Sequence, residues 1–331
     1  MMKKRLAALL AAAVLLCGCM PHRRIQTLPA MPYVEEQPDP TPLPTPEPDP
    51  VSEDALYGSV RLLNEPTVLV SVYLNDAATG SIWTADAREE ARQQVAMAVD
   101  WITAEAGRYG VTAELYYDDG GTDSPLCHTY SVRSRLQGGA PSMESDDFLN
   151  EMDAVCATLD TDDLRARYGT DRVGFLIFLP VSGTSFTMAH YADDGEDFFY
   201  EYSCLYRFDA YADTAEPESP ATYAHEILHL FGAPDYYAES GDFFVDEELT
   251  AYMENNHPDE IMLSTYTAEG ENLYTAIEKE LGTLTAYCVG LTDTCPELQL
   301  FPQLAAVEPG IFRYEAAPGP QDWIGDGSVA V

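Results

Sequence analysis

Hydrophobic and polar positions change period several times along the chain, and each change predicts an element. Over 67–74 the β-branched Val68, Val70 and Val72 alternate with Leu69, Ser71 and Tyr73, which predicts a strand. From Asp86 to Ala106 the apolar Ala91, Val95, Ala98, Val99 and Ile102 fall at helical spacing behind a capping residue, Thr84. A second strand is predicted over Thr112 to Tyr117, closed by the turn residues Asp118-Asp119-Gly120-Gly121. From Asp146 to Leu159, Phe148, Met152, Val155, Cys156 and Leu159 share one helical face. Gly174 to Pro180 is a short continuous apolar run, the pattern of a strand buried on both faces and hence central. Two further strands are predicted over Thr184 to Tyr191 and Ser203 to Tyr211. Strand, helix, strand, helix, then strands and a helix give an α/β sandwich, with helices packed on a twisted, mostly parallel sheet.

The next helix is delimited at both ends. Ser219 is a good N-cap and Pro220 a good first residue, while Gly232 and Pro234 stop it. Ala224, Ile227, Leu228 and Phe231 form its inward face, and His225 and His229 fall beside them one turn apart. Two imidazoles at that spacing can reach one metal ion, and Glu226 between them can bond a water without itself ligating. That gives His225 and His229 as metal ligands and Glu226 as general base. A catalytic zinc needs a third protein ligand and an open fourth position; Gly232 lets the chain turn back so that Asp235 can supply an oxygen.

This constellation resembles the metzincin zinc metallopeptidases, whose extended motif is a two-histidine helix, a glycine and a third ligand where Asp235 stands. The usual third ligand there is histidine. An Asp resembles the snapalysin variant, and Gly232-Ala233-Pro234-Asp235-Tyr236-Tyr237 is similar to the immune inhibitor A peptidases. Glu239 or Glu247 is the alternative oxygen donor. The resemblance implies a metzincin-like sandwich with an active-site helix, and a methionine turn at Asp259 to Ser264 with Met262 as the apolar floor. It also implies that Tyr266 stabilises the tetrahedral intermediate, and that Thr184 to His190 is a sheet edge along which substrate lies extended. The function implied is zinc-dependent endopeptidase activity on protein or peptide substrates. The alternatives are a non-catalytic metal-binding surface lipoprotein, an adhesin or binding module, and a zinc amidase acting on cell-wall peptides. Loops such as 236–256 would set the pocket shape and so choose between substrates.

Composition adds the location. Lys3, Lys4 and Arg5 precede an apolar run from Leu6 to Leu16, too short to span a bilayer, which reads as a signal peptide over residues 1–18. Its end, Leu16-Cys17-Gly18-Cys19, resembles the lipobox of bacterial lipoproteins, so Cys19 is expected to carry a lipid anchor to the membrane on the extracytoplasmic side. Residues 19–56 include a Pro-rich stretch that cannot bury a core and reads as an extended tether. The catalytic domain is expected over 57–295 and a C-terminal tail over 296–331. A formal charge of −39 excludes nucleic acid as a partner, because phosphate backbones are gripped by clustered Lys and Arg. Zinc is the expected cofactor, and the carboxylate-rich turn at Asp118 leaves calcium open as a second ion. Cys288 and Cys295 are close enough for a small disulfide loop, though spacing does not establish it. His128, His190 and His257 each stand alone and are given no catalytic role.

Overall fold

Every alternate residue of the three longest strands faces the same way, and this divides the core in two. The computed structural model describes residues 56–76, 79–121, 124–132, 146–192, 198–210, 215–237 and 244–311. Residues 1–55, with the expected signal segment, Cys19 and nearly all of the expected tether, lie outside them, as does Glu239. The strands are β1 (Thr67–Asn75), β2 (Leu115–Tyr116), β3 (Cys127–Ser131), β4 (Arg172–Gly183), β5 (Phe186–Met188) and β6 (Tyr202–Asp209). Their order is β2-β1-β4-β6-β5, with β3 pairing β1 as well. All pairs are parallel except β5 on β6, which is antiparallel and places β5 at the edge. The expected α/β class with a mostly parallel sheet is therefore present.

On one face of the sheet, Leu69 and Tyr73 of β1, Leu176 and Phe178 of β4 and Leu205 of β6 enter the larger core cluster. On the other, Val68, Val70, Phe175, Ile177, Cys204 and Tyr206 enter the second. A strand buried on both faces cannot show a clean alternation, which is why β4 reads as an unbroken apolar run. Helix α1 (Ala85–Arg108) covers the first face, capped by Thr84 Oγ1 accepting from Ala87 N at 3.2 Å. Helices α2 (Asp146–Ala157) and α3 (Thr161–Tyr168) supply Met152, Val155 and Leu164 to the second face.

Helix α4 (Pro220–His229) carries the sequence motif and packs on the first face beside α1. Ser219 Oγ accepts from Thr222 N at 3.2 Å, and Pro220 opens the helix as expected. A ten-residue helix is marginal by itself. Burial of Ile227 and Leu228, both fully inaccessible, contributes about 1.5–3 kcal/mol apiece and fixes it in place. Tyr223 ties the helix to the sheet, its ring edge-on to Phe178 at 6.1 Å and its hydroxyl donating to the Tyr206 carbonyl at 3.3 Å.

The chain leaves α4 through Gly232, whose φ of +95° is left-handed. A Cβ there would lie 3.0 Å from Gly310 Cα and 3.3 Å from the Cys288 carbonyl, both backbone atoms that cannot swing aside. Gly232→Ala is expected to destabilise the fold by about 1–3 kcal/mol, through both the conformation and the clash, measured as a lowered urea midpoint.

Two expectations change. The 236–256 stretch is not all loop, since α5 (Glu247–Asn256) lies within it, capped by Asp246 and burying Leu249 and Met253. The packed region also runs past residue 295: α6 (Thr283–Cys288) and α7 (Glu297–Leu300) are followed by a 3-10 turn, and Phe301, Leu304 and Ile311 are buried. The apolar side chains of that stretch are spaced by prolines at 302 and 309, so no helical or strand period marks them as core. All five described cysteines, Cys288 and Cys295 included, are free thiols.

Candidate metal centre

Helix spacing brings His225 and His229 together, and the turn at Gly232 returns Asp235 to them. His225 Nε2 and His229 Nε2 lie 3.1 Å apart, and Asp235 Oδ1 lies 3.1 Å from the first and 3.3 Å from the second. Among the described residues this is the group of His, Cys, Asp or Glu side chains whose ligand atoms converge as a metal would require. Tetrahedral bonds of about 2.0–2.1 Å put donor atoms about 3.3 Å apart, so the triangle has the size of one face of a zinc site.

The other ring nitrogens fix which atoms face inward. His225 Nδ1 lies 3.1 Å from the Ile261 carbonyl and His229 Nδ1 lies 2.7 Å from the Ala233 carbonyl. A carbonyl oxygen only accepts, so each Nδ1 carries a hydrogen, and in the neutral ring each Nε2 then turns a lone pair to the centre. Three acceptors within 3.3 Å of one another repel unless a positive charge lies among them. The electrostatics of the triad likewise draw positive charge to it. Burial opposes charge on His225, but the Asp235 carboxylate outweighs it and raises the imidazole's pKa above its ordinary value. Burial likewise works to raise the Asp235 carboxyl, and the two imidazoles override it, holding it far below the usual carboxylate range. The donor set, its size and its hydrogen-bonded backing therefore fit a zinc ion.

Glu226 is buried next to this centre. Thr187 Oγ1, on edge strand β5, lies 2.9 Å from both its Oε2 and its backbone carbonyl, and Ser203 Oγ of β6 donates to the same carbonyl at 3.0 Å. The edge strand thus holds the carboxylate in position. Burial raises the Glu226 pKa, partly offset by the histidines and the Thr187 hydrogen bond. Such a carboxyl takes up a proton more readily than an exposed one.

Compared with known proteins, the chain matches no family model, no curated protein and no solved structure. The chemistry has to be read from the residues alone. Asp235, not Glu247, joins the histidines: Glu247 is exposed in the first turn of α5. Met262 is fully buried, and its carbonyl accepts from Tyr236 N at 3.0 Å, so this turn anchors the loop that carries Asp235. The Tyr266 hydroxyl donates to Asp209 Oδ2 at 3.1 Å across an adjoining cleft. His128 bonds the Pro125 carbonyl and His257 lies 3.5 Å from Glu297; neither belongs to the triad.

Two clefts of about 210 and 290 Å³ meet at the centre, sharing Ser185, His225, Glu226 and Tyr237. Tyr237 is a residue the motif did not single out. Its hydroxyl donates to Asp235 Oδ2 at 2.7 Å, leaving Oδ1 turned to the histidines. Cysteine chemistry is disfavoured here, because burial pushes Cys127 and Cys295 up to about 11 and Cys204 well above the ordinary thiol range.

A buried carboxyl below the site gives a test of the scaffold. Glu260 accepts from Thr285 Oγ1 at 2.9 Å and from Gly282 N, yet burial outweighs these donors and pushes its pKa up to about 7. The folded chain then holds a proton that the unfolded chain releases above its ordinary 4.5. That stabilisation is complete below about pH 4.5 and is lost as pH rises towards 7, on the order of 3 kcal/mol in all. Urea midpoints taken between pH 5 and 8 should fall with rising pH, and Glu260→Gln should flatten the part of the slope below pH 7.

Proposed function

We propose that this chain is a zinc-dependent endopeptidase of metzincin-like design, held at a bacterial membrane by a lipid on Cys19. The observation that carries the enzymatic part is the convergence of His225 Nε2, His229 Nε2 and Asp235 Oδ1 beside the buried carboxylate of Glu226. The anchor rests on the N-terminal sequence alone.

His225, His229 and Asp235 would hold the ion. When bound, zinc supplies Lewis-acid chemistry, acidifying water towards a pKa of about 7 and polarising a carbonyl. Glu226 would accept the proton of the attacking water and hand it to the leaving amine, from its place buried beside the triad. Thr187 keeps the carboxylate aimed while it does so. Among the described residues strand β5 pairs with β6 alone, so its other backbone edge would take an extended peptide by main-chain hydrogen bonds next to Glu226. A binding module needs no buried carboxylate aimed by an edge strand, and this favours a hydrolase over the adhesin alternative.

The purified full chain is expected to hold one zinc and to cleave unfolded casein. Cleavage should stop on adding a chelator and return with zinc. A stoichiometric zinc complex inert towards casein and a diverse peptide library would instead support the binding module.

A further inference from the structure

A buried carboxylate behind the edge strand ties the rim of the metal-centre cleft to a distant part of the chain. Glu201 stands just before β6 at 3% exposure, and its carbonyl accepts from Phe175 N of β4 at 3.0 Å. Its side-chain Oε1 accepts from His190 N at 2.9 Å. His190 lies two residues past β5, between Ala189 and Tyr191, which both line the smaller cleft with His225, Glu226, His229 and Asp235. The other oxygen of Glu201, Oε2, accepts from Val60 N at 2.8 Å, and Ser59 Oγ accepts from Glu201 N at 2.9 Å. Ser59 is itself rooted in the sheet, its carbonyl accepting from Val173 N of β4 at 3.0 Å, and Val60 is fully buried in the first-face core. One carboxylate thus bridges residues 59–60, just past the expected tether, to the backbone over 189–191. Thr187 holds the edge to Glu226 from the cleft side, and Glu201 holds the residues that follow it from behind.

Resting on the peptidase reading above, we propose that Glu201 is a positioning residue for peptide binding, and that residues 58–60 belong to the frame of the site. With the bridge intact, the rim over 189–191 meets an extended peptide already ordered. With it broken, binding has first to order that rim, and the cost falls on affinity for the peptide. The bond-breaking step is spared, because none of the triad or Glu226 is held by Glu201. Gly58 offers a way to break the bridge from outside the cleft: a Cβ there would overlap the Glu201 carboxyl carbon and both of its oxygens. Gly58→Ala therefore pushes the carboxylate off its two backbone donors.

The test uses the zinc-loaded full chain and a quenched fluorescent peptide. Gly58→Ala is expected to raise KM about tenfold, with kcat within about twofold of the unaltered chain and zinc affinity unchanged. If that variant does not fold, Glu201→Gln takes its place: it is nearly isosteric, and whichever way the amide turns, its oxygen meets only one of the two donors. Where both fold, the double variant should raise KM little beyond the larger single effect, since both break one bridge. A merely structural role would lower the urea midpoint and leave the KM of the folded chain where it was. An unchanged KM, a loss confined to kcat, or single effects that multiply in the double variant would each overturn the proposal. The same substitutions in a Glu226→Gln background, with binding read by fluorescence anisotropy, separate it from the peptidase reading. Weaker peptide binding there, with no cleavage by the unaltered chain, would sink the peptidase and leave the role of Glu201 standing. Equal binding would overturn that role, and no peptide binding by any of these proteins would overturn both.

Discussion

Glu226→Gln is expected to bind zinc as the unaltered chain does and to cleave peptides about 10²–10⁴-fold more slowly in kcat, the usual worth of a general base. The substitution is nearly isosteric, and the amide oxygen can still accept from Thr187, so the helix, the edge strand and the three ligand atoms keep their places. What is lost is the ability to take a proton. The loss should fall on kcat and kcat/KM together, since the carboxylate acts only as the bond breaks. Single-turnover cleavage of a quenched fluorescent peptide, alongside zinc content, separates the two effects. Unchanged cleavage at full zinc occupancy would remove Glu226 from the mechanism. Equal loss of zinc and activity would make it a ligand instead.

What could be read from the chain followed from how local each feature is. Strand β1, helices α1 and α4 and the central strand β4 declare themselves through period or unbroken apolarity, and the caps at Thr84 and Ser219 through residue type. Strand β3 does not: Cys127-His128-Thr129-Tyr130-Ser131 is half exposed and mostly polar, and exists as a strand because β1 offers it an edge. Helix α3 buries only Thr161 and Leu164, too few apolar positions for a stripe. The strand over 184–191 shrinks to three residues because only Phe186–Met188 find partners on β6. At the site, the two histidines, Glu226 and Asp235 were legible because one helix and one turn place them all. Their supports were not. The Ile261 carbonyl that fixes His225 is 36 residues away and has no side-chain signature. Asp209 meets Tyr266 and Asn272 across 57 and 63 residues, and Thr187 meets Glu226 across 39. Such partners are set by the sheet order, which only the fold supplies. The run from Asp235 to Tyr237 does contain a usable signal, a tyrosine two residues beyond the carboxylate that joins the histidines.

That tyrosine and His229 together set up a graded result for the metal centre. His229→Ala is expected to weaken zinc binding by well over about a hundredfold, because it deletes one corner of a triangle whose sides are 3.1–3.3 Å and leaves two donors. Tyr237→Phe keeps all three donors and removes the hydrogen bond to Asp235 Oδ2 that leaves Oδ1 turned inward, so it should weaken binding by about 10–100-fold, the usual worth of an outer partner. The order matters more than either number. Competition against a zinc-sensing dye measures both, and thermal unfolding gives an independent check. A ligand at 1,000 times its Kd stabilises the folded state by about 4 kcal/mol. The unaltered chain should therefore show a large zinc-dependent rise in midpoint, Tyr237→Phe a smaller one at the same zinc concentration, and His229→Ala almost none. If His229→Ala retained the full zinc-dependent rise, the ion would be bound elsewhere, and the triangle would be a hydrogen-bonded cluster sharing protons. If Tyr237→Phe matched His229→Ala, the tyrosine would be placing the whole 232–237 loop, with Asp235 carried along by it.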